Sequence, residues 1–351
     1  MLNDKIQNQE GGDGSTNLQG QVVNIYNGIT YKDAKEIALD VFHSNFLQLK
    51  HDAAQIARQR AEEITDTFLE ELKRISPDAI QEFQQPAMQD ALFTVQKAYA
   101  KSGDKELGDL LVDVLIDRAN TPKRTLMQVV LDEALLIAPK LIVEQLDTLT
   151  LSFLLIQTQR FKIKSLESFD EYIKTYIVPF IDNLTDVKSL YSHIEYLGCG
   201  HKRAGDYGNP EDNFLTAYKV IFQTGFTIEE FEATIGPIEN YKNFLMPCLH
   251  DSHKLQLNKL DDVALEQSMT ESGLSADVKQ KFNSLFNKST MHPLEVRKYI
   301  LGIDNRMTKL FDVWQNSPFK NMELTSVGIA MAHANYRCKT GQTFDLSIWI
   351  K

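Results

Sequence analysis

Cysteine is scarce in this chain: three in 351 residues, at Cys199, Cys248 and Cys338. An odd, widely spaced set builds no disulfide framework and suits a reducing compartment, so the expected location is cytoplasmic. No apolar signal core follows the opening Met1-Leu2-Asn3-Asp4. The longest apolar run, near Leu149–Ile156, is too short to span a bilayer and reads as a buried helix, so no membrane partner is expected. Cations are also in short supply. Lys and Arg number 37 against 48 Asp and Glu, a net charge of −11, which repels phosphate backbones unless basic residues cluster. The densest clusters, Arg160 with Lys162 and Lys164, and Lys202 with Arg203, are short and have no interleaved aromatic platform. Nucleic acid is therefore a disfavoured partner.

The recognisable catalytic signatures are missing as well. There is no phosphate-cradling Gly-rich loop ending in Lys-Ser or Lys-Thr, no Gly-x-Ser-x-Gly elbow, no His-Glu-x-x-His helix and no dinucleotide fingerprint. These absences remove the enzymes easiest to recognise and leave others open.

What is present is an ordinary globular balance, 43% hydrophobic and 24% charged, in a chain long enough for two or three packed units. Residues 1–20 are polar and Gly-rich and are expected to form a mobile tail. Gln21-Val22-Val23-Asn24-Ile25-Tyr26 follows, uncharged and β-prone, before the turn signal Asn27-Gly28. It reads either as an arm that docks on the protein or on a neighbouring subunit, or as a self-pairing motif. Val22, Val23, Ile25 and Tyr26 are its candidate interaction residues.

Helical periodicity then dominates. Thr30-Tyr31-Lys32-Asp33 matches a capping box. A long amphipathic helix over 52–75, with an Arg58–Glu62 pair on its polar side, ends at the Ser76-Pro77 break. Further helices fit Pro86–Ser102, Lys105–Ala119, Arg124–Ala138, Glu144–Gln157, Leu166–Leu184 with a kink at Pro179, and Val187–Leu197. Four glycines in the eleven residues Gly198–Gly208 mark a loop. Helices resume at Asn213–Thr224 and Thr227–Thr234, and in several pieces over 261–316. At the end, Met322–Leu324 reads as a strand, Thr325 or Ser326 as an N-cap, and Val327–Ala334 as a small-residue helix. Phe344–Ile350 alternates with strand period.

The expected fold is mainly α: a multi-helix bundle with a short N-terminal β arm and a small α+β, winged-helix-like C-terminal module. The segments are 1–28 (tail and arm), 29–200 (helical domain) and 209–351 (helical domain ending in strand, helix, strand). Burying Ile348, Trp349 and Ile350 would contribute about 5 kcal/mol before ordering costs, so the last strand is expected to pair with Met322–Leu324 or with the N-terminal arm. Ile348 and Trp349 are further candidate interaction residues.

Three candidates carry chemistry. Cys248, His250 and His253 lie close in sequence, and Cys199 with His201 would complete a zinc set. Zinc is the one cofactor to weigh, but the spacing is not that of a finger or knuckle. The alternative is a buried cysteine, a capping histidine and an exposed histidine. Cys199, between two glycines and near His193 and His201, could be a thiol nucleophile or a small apolar plug. Asp132-Glu133 are adjacent on a helix and so point about 100° apart, which rules out a paired-carboxylate site.

Two stretches carry a resemblance. One runs from Arg124-Thr125-Leu126 through Leu131-Asp132-Glu133-Ala134, Pro139-Lys140-Leu141 and Leu149-Thr150-Leu151 to His193-Ile194-Glu195-Tyr196-Leu197-Gly198-Cys199-Gly200. The other runs from Leu324-Thr325-Ser326-Val327-Gly328 through Ala334-Asn335 to the Leu346–Ile350 ending. With the entries at Ser15-Thr16-Asn17 and Tyr26-Asn27-Gly28, they resemble an uncharacterised bacterial family with no assigned activity. The layout is also similar to Abi-alpha-type abortive-infection proteins. The resemblance implies a bacterial accessory protein tied to phage defence, working through contacts with itself and with another protein. The rival expectations are a metal- or thiol-dependent hydrolase, possibly a nuclease, at the Cys/His set, and a nucleic-acid-binding regulator using the C-terminal module.

Overall fold

The computed structural model of this chain describes residues 28–45 and 51–351. The β-prone arm, with Val22, Val23, Ile25 and Tyr26, lies outside the described residues. Two compact units form, Met1–Ala100 and Lys101–Lys351.

In the first unit, α1 (Tyr31–Asn45) and α2 (His51–Ile75) pack together, followed by a 3-10 turn over Pro77–Gln84 and α3 (Pro86–Ser102). The Thr30 capping box forms: Asp33 N–H donates to Thr30 Oγ1 at 3.2 Å, and Thr30 N–H to Asp33 Oδ2 at 3.0 Å. Phe42, Ala57, Ala61 and Ala100 make one buried cluster, and the small side chains let the helices approach closely. Fully buried Gln96 donates its amide N–H groups to Ala38 O at 3.1 Å and Thr65 Oγ1 at 2.9 Å. Glu62 pairs across the helices with Lys35 at 3.3 Å.

The second unit contains α4 (Lys105–Ala119), α5 (Leu126–Ile137), α6 (Val143–Ser152), α7 (Leu166–Tyr172), α8 (Lys188–Tyr196), α9 (Pro210–Ala217), α10 (Ile228–Thr234), α11 (Asp262–Glu271), α12 (Ala276–Lys288), α13 (Pro293–Ile303), α14 (Met307–Asn316) and α15 (Ser326–Thr340). Helices α6 and α7 continue into π-helical turns over Phe153–Gln157 and Ile173–Ile177, and the second gives way to a 3-10 turn around Pro179. Four short strands, β1 (Gly200–Lys202), β2 (Leu245–Pro247), β3 (Leu255–Leu257) and β4 (Met322–Leu324), form two antiparallel pairs, β1 with β4 and β2 with β3.

Helix α15 is the pillar of this unit and packs against α4, α5 and α6. Its start is fixed by close backbone approach. Thr325 Oγ1 accepts from Gly328 N–H at 3.2 Å and donates to Gly198 O at 2.5 Å, while Thr325 N–H donates to Cys199 O at 3.1 Å. A side chain at Gly328 would put Cβ 1.7 Å from Cys199 O, so only glycine fits. The Leu-Gly-Cys-Gly step and the Leu-Thr-x-x-Gly step, far apart in sequence, thus meet in space. A boundary near 200–209 does not separate these elements: α15 and β4 belong to the same unit as α4 to α8.

The C-terminus corrects two expectations. Phe344–Ile350 is not a strand but carries a 3-10 turn over Leu346–Ile348, started by Asp345, which accepts from Ser347 N–H at 2.9 Å. Strand β4 pairs instead with β1. Strand, helix and strand therefore do not assemble a winged-helix-like module. The alternating apolar residues serve as an aromatic tether: Phe344 stacks on Tyr336 at 5.1 Å, and Phe344 and Trp349 meet Phe153 edge-on at 5.7 and 4.8 Å. Leu346 and Ile350 are buried, while Ile348 stays 59% exposed. No helix among the described residues is long and apolar enough to cross a membrane.

Candidate functional site

The sequence candidates occupy separate settings. Cys199 is fully buried beneath the start of α15, and burial pushes its thiol up to about 12, the reverse of what a nucleophile needs. His193 Nδ1 sits 3.0 Å from Gln145 Nε2. His201, on β1, faces its strand partner Glu323 at 3.6 Å.

Cys248 follows β2, where its S–H donates to Gln223 O at 3.7 Å and its sulfur fills the space over Gly225, whose φ is +74°. His250 Nε2–H donates to Ile221 O at 2.7 Å, and His253 is exposed in the β2–β3 connection. Among the described residues, no group of three or more His, Cys, Asp or Glu side chains is placed to hold a metal ion. Asp132 pairs with the buried Arg118, and Glu133 is exposed.

The densest polar cluster lies along α15 and was not singled out from the sequence. His333 and Arg337, four residues apart, face α4: Arg337 bridges Asp113 and, at 3.0 Å, Asp117. Burial works against the Arg337 charge, but Asp117 and Asp113 outweigh it and hold the guanidinium protonated. Asn335 and Lys339 face α6 and converge on Asp147, which has no exposed surface. Lys339 Nζ lies 2.6 Å from one oxygen of Asp147, Asn335 donates to it at 3.0 Å, and Asn183 donates to the other oxygen at 2.8 Å. Each of these charges has a partner of opposite sign inside the fold.

His333 borders a cavity of about 490 Å³ walled by Asp117, Leu131, Phe344 and Leu346. Its Nε2 accepts from Phe344 N–H at 3.1 Å and faces the Thr343 hydroxyl at 3.1 Å; its Nδ1 lies 3.8 Å from Asp117 Oδ2. The order carboxylate, imidazole, hydroxyl imitates a relay. The lone pair a base would use is already committed to a backbone amide, however, and burial holds the ring down to about 4.

A groove of about 850 Å³ offers more. Its walls come from the π-turn that ends α6 (Leu155, Ile156, Gln157), the following loop (Gln159, Phe161), the start of α11 (Val263) and the C-terminal tether (Ile348, Trp349). Phe161 is 74% exposed, Val263 76% and Ile348 59%, so three of the most exposed apolar side chains among the described residues meet at one concavity. Trp349 is held in place by donating Nε1–H to Gln157 O at 3.3 Å. The carboxylates on its rim are engaged: Asp261 caps Ala264 N–H at 2.8 Å and accepts from Gln159 at 2.6 Å, and Asp262 pairs with Lys219 at 2.7 Å.

Arg160, on the same loop, lies 3.7 Å over the Tyr176 ring and bonds the Tyr336 hydroxyl. The basic cluster does have aromatic neighbours, supplied from distant positions by α15 and the second π-turn, but they bind Arg160 itself. Ile348 and Trp349 are thus brought together with Phe161 and Val263. The signal for Phe161 in the sequence was a large aromatic inside a charged, turn-forming stretch.

The model of an uncharacterised protein family matches residues 28–350. No curated protein and no solved structure matches the chain, and the likeness to Abi-alpha-type proteins finds no support there.

Proposed function

The chain belongs to this uncharacterised family over residues 28–350, and we propose that it is a binding protein without catalysis, acting through protein–protein contacts at the Phe161–Val263–Trp349 groove. The observation that carries the reading is the convergence of Phe161, Val263 and Ile348 on one groove, beside polar clusters whose charges are internally paired. Concave apolar surfaces of this kind receive an apolar peptide segment of a partner.

A photo-crosslinking residue placed at Phe161 or Val263 tests it in cells. We expect a discrete protein adduct that is missing when the same residue replaces Leu294, which is equally apolar and 67% exposed but outside the groove. No adduct, or the same adducts from position 294, removes the reading.

Self-association through Val22, Val23, Ile25 and Tyr26, and a role in bacterial phage defence, belong to the same proposal. Light scattering is expected to show an oligomer that shrinks when residues 1–28 are deleted; a monomer in both cases rejects self-association. Phage challenge of cells carrying the wild-type or Val263→Asp chain tests the defence role, with protection expected only from the wild type.

A further inference from the structure

The His333 ring carries a donor without an acceptor. Phe344 N–H can only donate, so Nε2, 3.1 Å away, must supply the lone pair. Burial holds the ring's pKa down to about 4, so at neutral pH it has one proton, and that proton sits on Nδ1. His333 is 1% exposed, and Nδ1 has no hydrogen-bond partner among the described residues. A buried donor in this state is destabilising unless something else meets it. Asp117 Oδ2 stands 3.8 Å from Nδ1, too far for a direct hydrogen bond, while Arg337 holds the other Asp117 oxygen at 3.0 Å. Both side chains line the cavity of about 490 Å³.

An oxygen about 2.8 Å from each atom spans this gap if it accepts from Nδ1–H and donates to the carboxylate. A hydroxyl oxygen does both through one atom, as water does. A water occupies about 30 Å³, a small part of the cavity. Much of the remaining wall is apolar: Met127, Leu131, Phe344, Leu346 and Ile350. The polar floor disfavours an anion, since two carboxylates, Asp113 and Asp117, face the one guanidinium of Arg337. It disfavours an ammonium as well, which would meet the Nδ1 proton. Asp345 and Lys351, one charge of each sign, line the cavity where it is exposed.

We infer that this cavity binds a small neutral alcohol or phenol, whose hydroxyl bridges His333 Nδ1–H and Asp117 Oδ2 while its carbon body packs on Leu131, Phe344 and Leu346. The site is separate from the Phe161 groove, although Phe344 borders both, and the inference does not depend on what the groove takes.

The test titrates the full chain, labelled with nitrogen-15 histidine, with three naphthalenes at neutral pH. These are 2-naphthol, 2-methylnaphthalene, which lacks the hydroxyl, and the anion 2-naphthoate. Calorimetry gives the affinities, and NMR follows the His333 Nδ1–H signal, identified by its loss in His333→Gln. We expect 2-naphthol to bind at least about tenfold more tightly than the other two and to be the one that moves the His333 signal. In Asp117→Asn, Arg337 keeps the amide oxygen and the amide N–H faces His333, so the gap loses its acceptor. That variant should bind 2-naphthol about tenfold more weakly and 2-methylnaphthalene as before. Ser347→Trp, at an exposed position of the lining, should fill the cavity and abolish binding. Equal affinity for 2-naphthol and 2-methylnaphthalene, or a His333 signal unmoved by bound 2-naphthol, overturns the hydroxyl bridge, and this comparison needs no variant. Tighter binding of 2-naphthoate overturns the neutral ligand class. Undiminished binding in Ser347→Trp puts the ligand elsewhere. If none of the three binds, the cavity holds water alone and the inference falls.

Discussion

Asp147 shows how a buried charge is retained. It has no exposed surface and is held by Lys339 and Asn335 of α15 and by Asn183. Removing one partner of such a pair leaves a desolvated group uncompensated, which costs about 3–5 kcal/mol. Asp147→Ala and Lys339→Met should each destabilise strongly, and the double variant should cost clearly less than their sum; a double-mutant cycle by urea denaturation measures the difference. Gly328 gives a second residue-scale prediction. Gly328→Ala drives Cβ into Cys199 O and should cost about 3 kcal/mol or prevent folding. Gly198→Ala has open space and only a strained φ of +71°, and should cost about 1 kcal/mol. His333 supplies a pH dependence. Burial lowers its pKa to about 4 from an ordinary 6.5, with Asp117 opposing and Arg337 adding to the shift. Between those values the unfolded chain binds the proton and the folded chain does not, so this contribution is intact above pH 6.5 and is lost as pH falls toward 4. Over that window His333→Gln should flatten the decline in unfolding free energy by a few kcal/mol relative to wild type.

At the scale of elements, much was legible because helix signals are local. The Pro86–Ser102 and Lys105–Ala119 helices lie where periodicity and breakers placed them, and the kink falls at Pro179. The β2–β3 hairpin was not legible. Its strands are three residues long and show no alternation, and its connection is held by the buried Gln256, which donates to Val220 O and accepts from Leu249 N–H, both at 2.9 Å. The α15 seam was half legible. His333, Asn335, Arg337 and Lys339 form two i,i+4 pairs in an otherwise small and apolar helix, but the Lys339 partner stands 192 positions away. The groove was legible only at Ile348 and Trp349, since Phe161 and Val263 join it through tertiary packing. The tail was misjudged because alternation cannot tell a strand from a segment whose aromatic residues seek one ring, here Phe153. Its energetic weight remains. Burying Leu346, Trp349 and Ile350 contributes about 5 kcal/mol before ordering costs, so deleting residues 345–351 should lower Tm by several degrees and promote aggregation, measured by calorimetry and light scattering.

For the molecule as a whole, the question is which stretch of chain completes its own core. Residues 101–351 contain both halves of every contact around α15: β1 against β4, Cys199 under Gly328, Asp113 and Asp117 against Arg337, and Asp147 against Lys339. A piece that starts at 209 keeps α15 but loses β1, α4, α5 and α6. That leaves Arg337 and Lys339 without carboxylates and exposes the apolar residues Ile329, Met331 and Tyr336, all buried in the full unit. Cooperative folding requires that each buried charge and apolar face find its partner within the same piece. The fragment Lys101–Lys351 should therefore express as a soluble protein with a single cooperative thermal transition, and the fragment 209–351 should aggregate. Circular dichroism melts of the two compare them directly. A cooperative, soluble 209–351 fragment would place the structural boundary near the glycine loop after all, and would mean that α15 can find other cover for its polar seam.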